Sequence, residues 1–290
     1  MLSKTGSVGR AFRVMRSKPL GALGGLLIIV LVGTALMAPM LAPHDPVKIK
    51  STDRLQAPSW SHPLGTDDFG RDILSRVIYG ARISMLLGLG AVAISTLLAA
   101  IIGILSGYYG GRIDTVLQRC IDTMMAFPGF VVLLTIMAML GQGLGNVILA
   151  LGIGGTAGNA RIIRSAVLAI RENQYVEVAR ATGCQDWQII VRHILPNIAA
   201  PIMVVVTLGL GVAILAESSL SFLGFGVPPP TPSWGAMLSG SGRTYMLQAP
   251  WMAVFPGIAI SLAVFAFNML GDALRDLLDP RLRGGPQGRA

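Results

Sequence analysis

The chain has 290 residues, of which 53% are hydrophobic and only 13% charged, with a mean hydropathy of +0.66 and a net charge of +9. That balance excludes an ordinary soluble domain, in which about 25% of residues are charged. It also excludes a nucleic-acid-binding domain, because the basic residues are scattered and not gathered with aromatics on one polar segment.

Long charge-free runs assign the class. Residues 20–42, 83–111, 123–160, 194–216 and 244–271 contain no Asp, Glu, Lys or Arg. Each can cross a hydrocarbon core about 30 Å thick, which takes about 20 helical residues. The run 123–160 would make a helix about 57 Å long, too long for one crossing, and the Gly141–Asn146 stretch divides it. The expectation is an all-α integral membrane protein with six transmembrane helices. They lie near 20–41, 83–106, 115–140, 146–168, 198–223 and 251–272. Lys and Arg set the orientation. Five lie in 1–19, two in 107–120, five in 161–196 and four in 272–290, against seven elsewhere. Both termini are therefore expected in the cytoplasm. The first apolar run is too long for a cleaved signal peptide and lacks a clean small-residue cleavage site. Cys120 and Cys184 fall near the cytoplasmic face and read as free thiols.

In chain order, residues 1–19 form a basic cytoplasmic tail, with Arg10, Arg13, Arg16 and Lys18 suited to the inner leaflet. The first span, 20–41, leads to an extracytoplasmic loop, 42–82. There Ile73, Leu74, Val77, Ile78 and Ala81 form one apolar helical stripe, which predicts an amphipathic helix lying at the membrane surface. It either orients the next span or receives a binding protein. His44 and His62 share this loop, but the sequence offers no third ligand at tight spacing, so no metal is expected.

The remaining five spans, 83–272, form the core. Pro128 is predicted to kink the third span and free a carbonyl, as happens where a helix lines a cavity. Gly152, Gly154, Gly155, Gly158 and Ala160 make the fourth a small-residue packing helix. Arg161 and Arg164 are placed to snorkel at its inner end. The one long polar interval between apolar runs is Tyr175–Pro196, inside the cytoplasmic loop 170–197. Glu177, Val178 and Ala179 suit a helix, Ala179 and Gly183 would share one small-residue face, and Gly183 is a helix stop. Trp187, Ile190, Val191 and Ile194 then follow helical spacing, which Pro196 is expected to close. Glu217 in the fifth span is a costly intramembrane carboxylate. It belongs either to the passage or its gate, or to the irregular backbone that follows. Residues 218–250 read as a loop with a short interfacial helix near Trp234–Ser239, and 273–290 as a cytoplasmic tail.

The order Glu177-x-Ala179-x-x-x-Gly183, nine residues, then x-x-Leu195-Pro196 is similar to the cytoplasmic loop signature of ATP-binding-cassette importer permeases. Val178 stands where the pattern usually has Ala. His193 stands where it often has Ile, a variant of the peptide-permease branch. The stretches His62–Met85, Leu220–Leu238 and Phe267–Gly285 resemble the same branch, so the likeness spans 20–285. The chain is identified as a member of the dipeptide/oligopeptide/glutathione/nickel permease family. That resemblance implies a type I importer permease fold in a bacterial cytoplasmic membrane. It also implies a homologous partner permease, two ATPase subunits and an extracytoplasmic solute-binding protein. It assigns contact with the ATPase to Glu177, Ala179, Gly183, Asp186, His193, Leu195 and Pro196. ATP and magnesium belong to the ATPases, since no G-x-x-x-x-G-K-[ST] loop occurs here. Short peptides are the expected cargo, with nickel chelates, glutathione, opines and sugars as alternatives. A channel or proton-coupled transporter would need internal repeats or paired intramembrane charges. Neither is evident in the sequence. No enzyme-like cluster is evident either.

Overall fold

The computed structural model describes residues 18–278. The basic cluster Arg10, Arg13 and Arg16 and the end of the Phe267–Gly285 stretch lie outside them. Among the described residues the chain is helical, with one isolated bridge between Thr66 and Asp72.

Helix α1 (Pro19–Leu36) begins at a proline, whose fixed φ and missing N–H suit a first helical turn. It lies along the last helix through Gly24, where a Cβ would stand 2.8 Å from the Ala266 carbonyl oxygen. Lys18 Nζ closes the pair on Asp276 at 2.5 Å.

Helix α2 (Ile73–Tyr109) runs unbroken for 37 residues, about 55 Å. The surface helix expected over 73–81 is not a separate element, because its stripe is the first turns of α2. No proline interrupts it, and Ile73 packs on Ala249 and Met252 of this same chain. Asp72 caps it, its carboxylate accepting the Ser75 N–H at 2.8 Å.

The expected third span, 115–140, is two helices, α3 (Gly111–Met125) and α4 (Gly129–Leu140), bent by 88°. Pro128 does more than kink the helix. It disfavours helical backbone at Phe127 and provides no N–H, and its own ψ of 123° is extended. Helix α4 alone spans about 18 Å.

The division falls at Gly141–Gly143 as expected, and α5 (Leu144–Arg171) follows. It packs closely on α2. A Cβ at Gly152 would meet Ile94 at 2.7 Å, and one at Gly155 would meet Ser95 Oγ at 2.9 Å. Gly158 departs from the packing role and faces open space. Four helical stretches are long and apolar enough to cross a membrane, or five if the bent α3–α4 pair counts as one. Helix α5 has the length of a sixth passage but not the hydropathy, because glycines, Asn146, Asn159 and its arginines dilute it.

A hairpin made of α6 (Gln174–Ala181), α7 (Asp186–Ile189) and a π turn (Ile190–Ile194) leads into α8 (Leu195–Phe222). Pro196 does not close the helix; Asp186–Phe222 is one continuous stretch. The reason is the π turn just before it, where the Leu195 N–H bonds back to the Ile190 carbonyl. The ladder has already shifted register where the proline withholds its N–H. After α8 come α9 (Trp234–Leu238) and α10 (Trp251–Leu278). Helix α9 is not interfacial at its first residue. Trp234 is 1% exposed, and its indole N–H donates to the Val77 carbonyl at 2.9 Å.

The buried side chains form two main clusters. One joins α2, α5, α8 and α10 around Leu87, Ile214, Trp234 and Phe267. The other joins the far ends of α2 and α5 to the hairpin through Tyr108, Val167, Val176, Ile189 and Ile194.

Candidate functional site

The hairpin is built from its bend outward. Gly183 has φ +84°, a left-handed conformation that suits glycine. Its N–H bonds to the Arg180 carbonyl, and the Cys184 N–H bonds to the Ala179 carbonyl, each at 3.1 Å. This pair is the Schellman arrangement that ends a helix. A Cβ at Gly183 would meet nothing within 4 Å. Its role within this chain is therefore conformational.

Ala179 does not share a face with Gly183 and does not face outward. It is buried with Val176 against Val167, Ile189 and Ile194. The outward surface is different: Glu177 is exposed, and so are Val178 (60%), Trp187 (58%), Val191 (51%) and Leu195 (41%). Pro196 is exposed beside them. His193 is half-buried, its ring 6.1 Å from that of Tyr175.

The hairpin is tied to the end of α2. The Tyr108 hydroxyl donates to Asp186 Oδ1 at 2.6 Å, and the Arg180 guanidinium lies over the Tyr108 ring at 5.6 Å. Arg171 donates to the carbonyls of Gly107 and Tyr108 at 3.2 and 3.1 Å, where a helix end favours a cation. Sequence reading missed Tyr108 and Arg171. Arg164 and Arg161 both meet acidic partners on α3. Arg164 makes a two-point pair with Asp114 at 2.7 and 2.6 Å, and Arg161 pairs with Asp122. The acidic residues of α3 engage both arginines, Arg164 part-buried and Arg161 exposed.

A half-enclosed cavity of about 860 Å³ lies between α2, α4, α5, α8 and the end of α10. Most of its lining is apolar, including Leu133, Val204, Val205 and Val212. Its polar lining is Ser95, Asn159, Asn197 and Arg275, and the Asn159 amide donates to Ser95 Oγ at 3.0 Å. Of the two pathway candidates, Pro128 is exposed and next to Gly129, which does line the cavity. Glu217 is fully buried and does not line it. It accepts from Ser221 at 2.7 Å and from Ser84 and Ser218 at 3.5 Å. Asn159 and Ser95 are what the sequence reading overlooked; their signal was polarity inside a small-residue helix and its packing partner.

At the far end of α2, Asp72 lies within reach of both His44 and His62. It is the third donor that the sequence spacing did not reveal. In the same loop, a hydrogen bond from Lys50 holds the Asp53 carboxyl below the ordinary carboxylate range.

Residues 99–284 match the family model described as binding-protein-dependent transport system inner membrane component. Residues 8–58 match the N-terminal TM domain of oligopeptide transport permease C. The chain is 42% identical, over 94% of its length and 90% of the relative's, to the dipeptide transport system permease protein DppC of Alkalihalophilus pseudofirmus. It is 44% identical, over 97% of its length and 94% of the relative's, to a putative peptide transport system permease protein of Brucella suis. It is 42% identical, over 94% of its length and 90% of the relative's, to the glutathione transport system permease protein GsiD of Escherichia coli. The fold is similar to a chain of the MetNI methionine ABC transporter in an inward-facing conformation. The TM-score is 0.58 at 15% identity, covering 71% of this chain and 98% of that one. The chain belongs to the binding-protein-dependent transport system inner membrane component family and is a non-catalytic permease subunit of an ABC importer.

Proposed function

We propose that this chain forms half of a membrane passage for short peptides, with a homologous permease as the other half. A solute-binding protein delivers the peptide from outside, and two ATPase subunits, which hold ATP and magnesium, drive the cycle. The membrane is the bacterial cytoplasmic membrane, with both termini and the 170–197 loop on its inner side.

The observation that carries the reading is the hairpin. It presents Glu177, Val178, Trp187, Val191 and Leu195 outward while Val176, Ala179, Ile189 and Ile194 root it on α2 and α5. Such a short helix with an apolar ridge suits docking in a groove of another protein. Because its root is packed core, a push on the ridge moves α2, α5 and α8 together, and those helices wall the cavity. Coupling is then a difference in contact between states, with no chemistry on this chain. Asp186 serves the hairpin's anchorage, and His193, Leu195 and Pro196 lie at its junction with α8. The relatives' names, which specify dipeptide, peptide and glutathione, support a short-peptide cargo over nickel chelates, opines or sugars.

The test uses the complete complex in liposomes, with uptake of a labelled dipeptide and stimulated ATP hydrolysis as readouts. Gly183→Leu forces a side chain into the left-handed region at a cost of about 1–2 kcal/mol, which corresponds to roughly 5- to 30-fold in an equilibrium. Both readouts should fall by a factor of that order. Gly183→Asn should keep most of both, since Asn tolerates that backbone. Unchanged stimulation and uptake with Leu would place the coupling elsewhere. Intact coupling with no dipeptide uptake would instead remove the cargo assignment.

A further inference from the structure

The loop that follows α1 folds back onto the first turn of α2 and brings together three side chains distant in sequence. His62 Nδ1 lies 3.0 Å and His44 Nδ1 lies 3.8 Å from the same atom, Asp72 Oδ1. The three donor atoms all lie within 4.8 Å of one another. We propose that His44, His62 and Asp72 bind a divalent transition cation of the zinc class, with water completing the coordination.

Two features point to a cation and not to hydrogen bonding alone. The first is the proton count at His62. Its other nitrogen, Nε2, lies 3.4 Å from Asp53 Oδ2. A neutral imidazole has one N–H and can donate to only one of these two carboxylates. The second nitrogen then presents a lone pair to an anionic oxygen. A cation between Nδ1 and Asp72 turns that repulsion into coordination. Nε2–H then donates toward Asp53 and the carboxylate orients the ring, the usual arrangement behind a metal-bound histidine.

The second feature is how the Asp72 carboxylate is divided. Oδ2 is occupied by the helix cap, accepting from the Ser75 N–H at 2.8 Å and the Ser75 hydroxyl at 2.7 Å. Oδ1 is left toward the two histidines. The cap holds it in place, since Asp72 is 2% exposed and His62 is 7% exposed. His44 is also fastened, its backbone N–H donating to Ser75 Oγ at 3.0 Å.

Zinc binds imidazole nitrogen and carboxylate oxygen at about 2.0–2.2 Å, so donors on a tetrahedral ion stand roughly 3.3 Å apart. The 3.0 and 3.8 Å separations from Asp72 Oδ1 bracket that value. The wider spread of the trio, up to 4.8 Å, requires His44 to turn inward as the ion binds. His44 is half-exposed, which leaves it room to turn and leaves the site open to solvent. Two imidazoles with one carboxylate favour zinc-like ions over magnesium or calcium. The bound ion would staple the loop to the start of α2.

The experiment uses the full chain, purified in detergent through a tag that contains no histidine and stripped with a chelator. Zinc alone is titrated by calorimetry, and thermal unfolding is followed in parallel. The expected result is one zinc per chain and an unfolding midpoint that rises with zinc. His44→Ala removes a ligand at a solvent-facing position and should weaken binding by more than tenfold without unfolding the chain. Asp53→Asn should weaken it by about 10- to 100-fold, as loss of a ring-orienting partner does. His193→Ala, at the third histidine of the chain, should keep the parent affinity. Absence of saturable binding below roughly 100 μM zinc, or equal affinity in the parent and His44→Ala, would overturn the site.

Discussion

Glu217 shows how burial and function separate at a single residue. A carboxylate in a membrane helix is costly unless its oxygens are met, and here serine hydroxyls meet them from α2 and α8. Ala213 and Ala216, one turn away and next to it, line the cavity while Glu217 points into packed protein. Its expected role is therefore to join α2 and α8. Glu217→Gln keeps one oxygen acceptor, and its amide N–H groups can donate to hydroxyls free to rotate. Dipeptide uptake per assembled complex should stay near the parent level. Glu217→Leu leaves buried hydroxyls unmet at about 1–3 kcal/mol each, and the thermal midpoint and the yield of complex should fall. Loss of uptake in the Gln variant with assembly intact would return Glu217 to the passage. The cost of this residue was legible in the sequence. Its partner Ser84 was not, because the contact spans 133 positions.

At the scale of elements, two prolines read by one rule gave opposite results. Pro128 ends α3 and turns the chain by 88°, whereas Pro196 rides within a continuous helix. Around Pro196 the inward side chains Ile189, Ile194 and Ile198 are fully buried, and that burial holds the axis while a π turn absorbs the missing N–H. Around Pro128 the neighbours Ala126, Phe127 and Gly129 are exposed, and nothing opposes the break. Gly183 was legible because a left-handed helix stop is a local demand. The inward turn of Ala179 was not, because it depends on Val167 and Ile194 arriving from other elements. The anchorage of the hairpin can be tested directly. Tyr108→Phe removes only the hydroxyl that donates to Asp186, a loss of about 0.5–1.5 kcal/mol. Amide exchange over 174–196 should accelerate by roughly 2- to 10-fold, with the global unfolding midpoint almost unchanged. Exchange equal to the parent would mean that Tyr108 does not hold the hairpin.

For the whole molecule, composition and charge-free runs led to the helical class and most of the element order, because apolar length is a direct demand of the bilayer. The passage count was less legible. Helix α5 packs Gly152 and Gly155 on α2, turns Asn159 to the cavity and bonds Asn146 to the carbonyls before it, and so it carries a weak hydropathy signal. The basic bias sets the expected orientation. In a chain with Cys120 and Cys184 replaced, a cysteine at Gln185 should resist an impermeant thiol reagent applied outside. One at Leu247, which is 98% exposed, should react. The reverse pattern would invert the topology. Helix α2 has one more consequence at this scale. It joins the capped histidine cluster at one end to the Tyr108 anchorage at the other, with no break along 37 residues. A rigid rod about 55 Å long that pivots by about 10° at its midpoint moves each end through about 5 Å in opposite directions. If the helix tilts as one rod, anything that prefers one tilt at the Asp72 end would shift the affinity of a partner docked at the Tyr108 end, and the reverse would hold by the same free energy.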